Sequence, residues 1–308
     1  MSTLQQSLED YLTIRRALGS KLEKEARLLP QFVAHANAAG AETVTIEHAL
    51  VWATAPAGSS RNWWATRLRM VRGFARYLRA IDPAAEVPPA DLLTGQHRRP
   101  VPYLYSDQDI GALLAAARTL SPPLRSATME TMLGLLAVTG LRIGEAIRLD
   151  REDLDWAGRL LRVRDSKFGK SRLVPLHTST VKALQSYCRL RDRLCPRPAA
   201  VSLFVSTRGQ RLAHSSIYPA FRQLLVRTGL ERPSPARRPR LHDFRHTFAV
   251  KTLLGWYHDG DDVAARLPLL STYLGHVDPA ATYWYLSASP ELLGLAADRL
   301  QRAREGQR

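Results

Sequence analysis

The stretch that most constrains this chain is DPAAEVPPADLLTGQHRRPVP, residues 82–102. Proline removes a backbone donor and blocks helix continuation, so neither a helix nor a central strand can run through it. The stretch reads as a linker carrying basic residues. It divides the chain into residues 1–98, linker included, and residues 99–308. A chain of 308 residues is long enough for each part to bury its own core.

The first part reads as helical. Ser20 is placed to cap a helix that ends near Gly40, and Thr45 to cap a shorter one with Glu47 in its first turn. The strongest element is RNWWATRLRMVRGFARYLRA, Arg61 to Ala80. Trp64, Leu68, Val71, Ala75 and Leu78 fall at helical spacing and make a core stripe. Arg69, Arg72, Arg76 and Arg79 form a second stripe with no acid on it, which suits a phosphate backbone better than a mixed solvated face does. Arg98 and Arg99 in the linker suit a strap across the same backbone.

In the second part, SDQDIGALLAAARTL is an N-capped amphipathic helix, and ATMETMLGLLAVTG a buried one stopped at Gly140. RLLRVRD and SRLVPL alternate about a polar, glycine-containing turn, a β-hairpin with Lys167 near its tip. SLFVS is a candidate short strand. Helices follow through STVKALQSYCRLRDRL, SSIYPAFRQLLVRTG, LHDFRHTFAVKTLLGW and AARLPLLSTYLGH, and a terminal helix begins at Ser289. The fold class is mainly α with a small antiparallel β-sheet. The acidic stretch WYHDGDDVAARLP is expected as a surface loop.

Lysine and arginine outnumber the acids 44 to 28, for a formal charge of +16. A basic surface of this size points to a polyanion, nucleic acid foremost. Cys188 and Cys195, on one helix, stand about 10 Å apart, too far for a disulfide. The polar, acid-bearing N-terminus is no signal peptide, and no apolar run spans a membrane, so a cytoplasmic protein without membrane partners is expected.

Several polar groups suit phosphoryl transfer. Arg142 follows the helix stop at Gly140. His242 and Arg245 lie three apart on one helix and share a face. His276 ends the next helix. Asp278 and Pro279 then start a short helix carrying Tyr283 and Tyr285, which point to nearly opposite sides, so only one can face a given site. Two arginine forks can neutralise the oxygens of a phosphodiester. A tyrosine can serve as nucleophile, a histidine as base or donor, and a lysine can protonate a leaving oxygen. This chemistry calls for no metal or other cofactor. His242 and His246 are four apart, but DFR between them lacks the glutamate of a zinc protease motif.

TGLRIGEAIRL, SKFGKSRLVPL, LHDFRHTFA and LGHVDPAATYWYL together resemble, in order and spacing, a tyrosine recombinase of the phage integrase family, which includes Xer-type recombinases and transposon integrases. The resemblance covers roughly residues 100–290. It implies a catalytic integrase domain in residues 99–308, with a C-terminal helix suited to docking on a neighbouring protomer or on its own domain. Residues 1–98 are similar in kind to a helical, SAM-like core-binding domain. By motif position it implies the site residues Arg142, Lys167, His242, Arg245 and His276, with Tyr285 as nucleophile and Tyr283 as a bystander. It further implies double-stranded DNA clamped between two domains, four protomers on two sites, alone or with other recombinases, and strand exchange through 3′-phosphotyrosine. Glu145 reads as a structural partner orienting an arginine or backbone, and His246 as a packed or capping histidine. Two other functions fit parts of the pattern, a type IB topoisomerase-like relaxation and a non-catalytic DNA binder built on a decayed integrase. The helical first domain and the intact set of six polar residues argue for the recombinase.

Overall fold

The computed structural model describes residues 3–95, 101–164, 171–231, 238–276, 278, 280–287 and 290–305. Lys167 and Lys170, Arg98 and Arg99, Pro279 and Ser289 lie outside the described residues. The chain divides into two compact units, Met1–Arg99 and Pro100–Arg308.

The first unit contains α1 (Leu4–Ala17), α2 (Glu23–Ala38), α3 (Ile46–Thr54) and α4 (Arg61–Leu78). The side chains of Thr3, Thr45 and Ser60 cap α1, α3 and α4 by accepting from orphan N–H groups of the first turn. Ser20 does not cap α2. That helix enters through Leu22, in a left-handed conformation with no side-chain cap. One core gathers Leu8, Leu29, Phe32, Val33, Trp52, Leu68, Val71 and Phe74 from the four helices. Each such side chain contributes about 1.5–3 kcal/mol of burial.

Much of the stretch expected as a linker is bound to this unit. Ala85 is in the core, and Val87 and Leu93 pack against it. Glu86 donates its N–H to the Val44 carbonyl (2.8 Å) and accepts from the Ile46 N–H (2.7 Å). Proline forbids regular structure here but does not forbid packing, and the chain follows the helices as an ordered strap.

The second unit runs α5 (Asp107–Arg118), α6 (Pro123–Thr139), α7 (Ile143–Arg148), β1 (Leu154–Asp155), β2 (Leu160–Val163), β3 (Arg172–Pro175), α8 (Thr178–Leu194), α9 (His214–Arg227), α10 (Asp243–His258), α11 (Val263–Leu274), α12 (Ala280–Tyr283) and α13 (Pro290–Glu305). Ser106 and Asp109 close a capping box at the start of α5. Helix α6 is apolar on most sides and packs against α5, α8 and α10. The sheet is antiparallel in the order β1-β2-β3, with Leu161 opposite Val174 and Val163 opposite Arg172. SLFVS is not a strand. Ser202 and Val205 make only isolated bridges, to Asp150 and Arg211. The acidic stretch is not an extended loop either. Helix α10 continues through His258, and α11 starts at Val263 behind its cap Asp262, leaving a four-residue link. Cys188 is buried in α8, Cys195 is its C-cap, and both are free. A second cluster joins Ala249, Leu253, Leu267, Leu270 and Leu274 to Tyr285 and to Leu292 of α13, so α13 is anchored on its own unit. No helix among the described residues is long and apolar enough to cross a membrane.

Candidate active site

Two helix stops build the site. Helix α6 ends at Gly140, whose φ of 61° is left-handed. A Cβ there would meet Phe248 at 2.6 Å, so only glycine fits. Helix α11 ends in the same way at Gly275, with a φ of 67°. Both stops leave carbonyls without helical partners, and arginines take them. Arg245 donates through Nη1 to Gly140 O (3.0 Å) and through Nη2 to Leu274 O. Arg142 donates through Nη2 to Gly275 O (3.2 Å). Arg172 donates through Nε to Tyr273 O (2.7 Å). Three consecutive carbonyls at the negative end of α11 thus each hold a different guanidinium.

Glu145 ties two of these together. Its Oε1 accepts from Arg142 Nη1 (2.8 Å) and Arg172 Nη1 (3.1 Å), and its Oε2 from Arg142 N and Arg172 Nη2 (both 2.9 Å). Its residue exposure is 2%. Burial pushes this carboxyl up, but the hydrogen bond and charge of Arg172 and the contacts of Arg142 outweigh burial and hold it down at about 2. Arg245 is 1% exposed, and burial, reinforced by the Arg142 charge, lowers it to about 10, still charged at neutral pH. Its fixed contacts use two of five N–H groups, and its Nε is buried with no hydrogen-bond partner among the described residues.

Three histidines surround these cations. His242 is the N-cap residue of α10, with Arg245 in the first turn. It is exposed at the rim, yet desolvation by the surrounding protein, then the charges of Arg245 and Arg142, bring it down to about 4. The same causes, burial first and then arginine charge, bring His276 to about 4. His246 falls to about 3, through burial and then its neighbour His242. All three are neutral at pH 7. His276 Nδ1 lies 2.7 Å from Thr282 Oγ1. If Thr282 donates, Nε2–H of His276 is the free donor; the other tautomer leaves Nε2 as an acceptor.

Asp278 starts the tyrosine segment, its Oδ1 accepting from Ala280 N (2.9 Å). Helix α12 stops at Tyr283, and a 3-10 turn, Trp284–Ser287, carries the second tyrosine. The two are not on one α-helix, but they still face apart. Tyr283 is 54% exposed, and Tyr285 is 2% exposed. The Tyr285 ring stacks on His276 at 6.0 Å and meets His246 edge-on at 5.5 Å. It lies close enough to Arg245 for a tyrosinate there to favour the charged guanidinium.

The described residues therefore bring Arg142, His242, Arg245, His276 and Tyr285 into one neighbourhood. Lys167 falls outside them. Arg172 and Thr282 are additions that sequence spacing did not single out. Gly275 is a further addition, whose signal is a glycine just before His276, a common helix stop. On α4 the arginine stripe separates into two kinds. Arg69, Arg76 and Arg79 are exposed, and Arg72 is half-buried. Arg72 donates to the carbonyls of Pro88 (2.7 Å) and Pro89, and Arg79 to that of Ala85 (3.3 Å), so these two also hold the strap.

Residues 103–291 match the phage integrase family. Over 98% of its length the chain is 45% identical to y4rB of Sinorhizobium fredii (strain NBRC 101917 / NGR234), covering 98% of that protein, whose name assigns it by inference to the integrases and recombinases. It is 32% identical to the tyrosine recombinase XerC of Chlamydia trachomatis serovar L2, over 73% of this chain and 67% of XerC. The fold is similar to that of the Tn1549 transposon integrase solved with transposon right end DNA, with a TM-score of 0.67, 17% identity, and coverage of 96% of this chain and 98% of that one. The chain belongs to the phage integrase family.

Proposed function

We infer that this protein is a site-specific recombinase of double-stranded DNA, and that Tyr285 is its nucleophile. The observation that carries the assignment of roles is the contrast between the tyrosines. Tyr285 lies against His276 and within reach of Arg245, whereas Tyr283 points to solvent. In the reaction, Tyr285 Oη attacks the scissile phosphorus, forming a phosphotyrosine to the 3′ side, and the P–O5′ bond breaks. The departing 5′ oxygen takes a proton, from Lys167 by motif position, and the phenol proton passes to a neutral histidine of the site. Rejoining reverses these steps with the 5′ hydroxyl of the exchanged strand. The spare N–H groups of Arg142 and Arg245 offset the charge on the phosphoryl oxygens. Because Tyr285 is buried, its 3-10 turn shifts toward the phosphate before in-line attack.

The first unit, with Arg69 and Arg76 on its open face and Arg98 and Arg99 by sequence, supplies backbone contacts as a core-binding domain. Two cut sites require paired protomers, and a homotetramer on two sites completes exchange. The test is trapping on a nicked suicide duplex built from the junction DNA that flanks the gene. Wild type and Tyr283→Phe form a covalent adduct, and Tyr285→Phe binds the duplex without forming one. An adduct that survives Tyr285→Phe sinks the assignment.

A further inference from the structure

Arg172 has no part in the chemistry above, yet its guanidinium makes three hydrogen bonds beside the site. It opens β3, at the base of the hairpin that carries Lys167. Its side chain is 10% exposed and the Glu145 side chain 1%. Its two Nη groups meet the two Glu145 oxygens in parallel, at 3.1 and 2.9 Å, and its Nε–H is spent on Tyr273 O. Glu145 in turn holds Arg142 by both its guanidinium and its backbone N–H. The carboxylate thereby accepts four hydrogen bonds, which fills its acceptor sites. A Cβ on Gly275 would come within 2.9 Å of Arg172 Nη1, so the helix stop is shaped around this guanidinium.

We propose that Arg172 is a positioning residue for the strand-transfer reaction, acting through Glu145 to aim Arg142 at the scissile phosphate. The argument has three parts. First, a carboxylate with one arginine partner can rotate, whereas one gripped from two sides in bidentate geometry cannot. Second, without Arg172 the buried Glu145 keeps a single counter-charge, and it draws Arg142 inward, away from substrate. Third, three of the five N–H groups of Arg172 are spent on protein, and its side chain is 10% exposed against 27% for Arg142, so Arg142 is the more open of the two to a phosphate. Lysine has no planar fork and cannot replace it.

This proposal rests on the recombinase reading, and its test separates the two. The full-length protein is prepared as wild type, R172Q, R172K, R142A and R142A/R172Q. Adduct formation is followed on the junction-derived suicide duplex and on the same duplex with a 5′-bridging sulfur at the scissile position. Sulfur leaves without protonation, so that substrate rescues a missing acid but not a misaimed clamp. R172Q and R172K bind the duplex within about threefold of wild type and lose about 10²-fold in adduct rate, the scale of a misplaced catalytic group. The sulfur substrate does not restore the rate. In the R142A background R172Q costs less than about threefold, because its route is already removed. A full-rate R172Q, rescue by sulfur, or multiplicative losses in the double variant overturns the proposal.

A second measurement needs no DNA. Glu145 is held below its ordinary value, so its contribution to stability is complete above pH 4.5 and is lost as pH falls toward 2. R172Q narrows that window, and its melting temperature falls less steeply than wild type between pH 5 and pH 3. The difference vanishes when both carry E145Q. Equal slopes in wild type and R172Q overturn the link to Glu145. A wild type that makes no adduct but shows the slope difference instead counts against the recombinase reading.

Discussion

At the scale of single residues, the site concentrates positive charge and keeps its histidines neutral. Arg245→Ala is expected to lower cleavage by about 10²–10³-fold, the cost of removing one oxyanion donor. A quench-flow or gel time course measures this, and a loss below tenfold contradicts a phosphate clamp. His246 is held at about 3, below its ordinary 6.5. The unfolded chain therefore binds a proton that the folded one refuses between those values, and stability falls as pH drops through that window. The slope from His246 alone is at most about 1.4 kcal/mol per pH unit. Thermal melts from pH 8 to pH 5 should show the fall, and His246→Gln should reduce it, leaving the share of His242 and His276. Gly275→Ala places a Cβ at a left-handed φ and against Arg172, so it should lower both the melting temperature and the adduct rate.

Helix α4 shows what a sequence stripe can and cannot say about an element. Four of the five positions of its core stripe were readable from period alone, since Leu68, Val71, Ala75 and Leu78 are buried, whereas Trp64 is only half-buried. Its arginine stripe was readable as a row but not as a set of roles. Arg72 is aimed at two proline carbonyls that are sixteen and seventeen residues away. Arg67, outside the stripe, is buried over the Trp52 ring at 3.6 Å. Partners distant in sequence decided both, and periodicity carries no information about them. The split predicts different phenotypes. Arg69→Ala and Arg76→Ala should each reduce the slope of log K against log salt by about 0.9, the release of one phosphate contact. Arg72→Ala should chiefly lower the melting temperature by loosening the strap. Equal salt effects from all three would contradict the division. The same contrast holds across the fold. Helix stops and caps at Thr45, Ser106 and Gly140 were local signals. The approach of Arg172 to Glu145 across 27 residues was not.

On the scale of the whole molecule, a formal charge of +16 makes DNA affinity strongly dependent on salt. With 6–10 phosphates neutralised, binding is expected to weaken by about 10³–10⁵ between 50 and 200 mM salt. A titration by fluorescence anisotropy checks this, and a flat response would remove the electrostatic footprint from both units. The arginines gathered at the end of α11 bear on the outcome of the reaction as well as its rate. Arg142, Arg172 and Arg245 hang on three neighbouring carbonyls, so they share one support at the end of α11. A graded clamp, with one arginine in place and another withdrawn, could cut a strand and then fail to reseal it. A shared support ties the geometry for breaking a strand to the geometry for mending it, because both directions of the reaction use the same arginines.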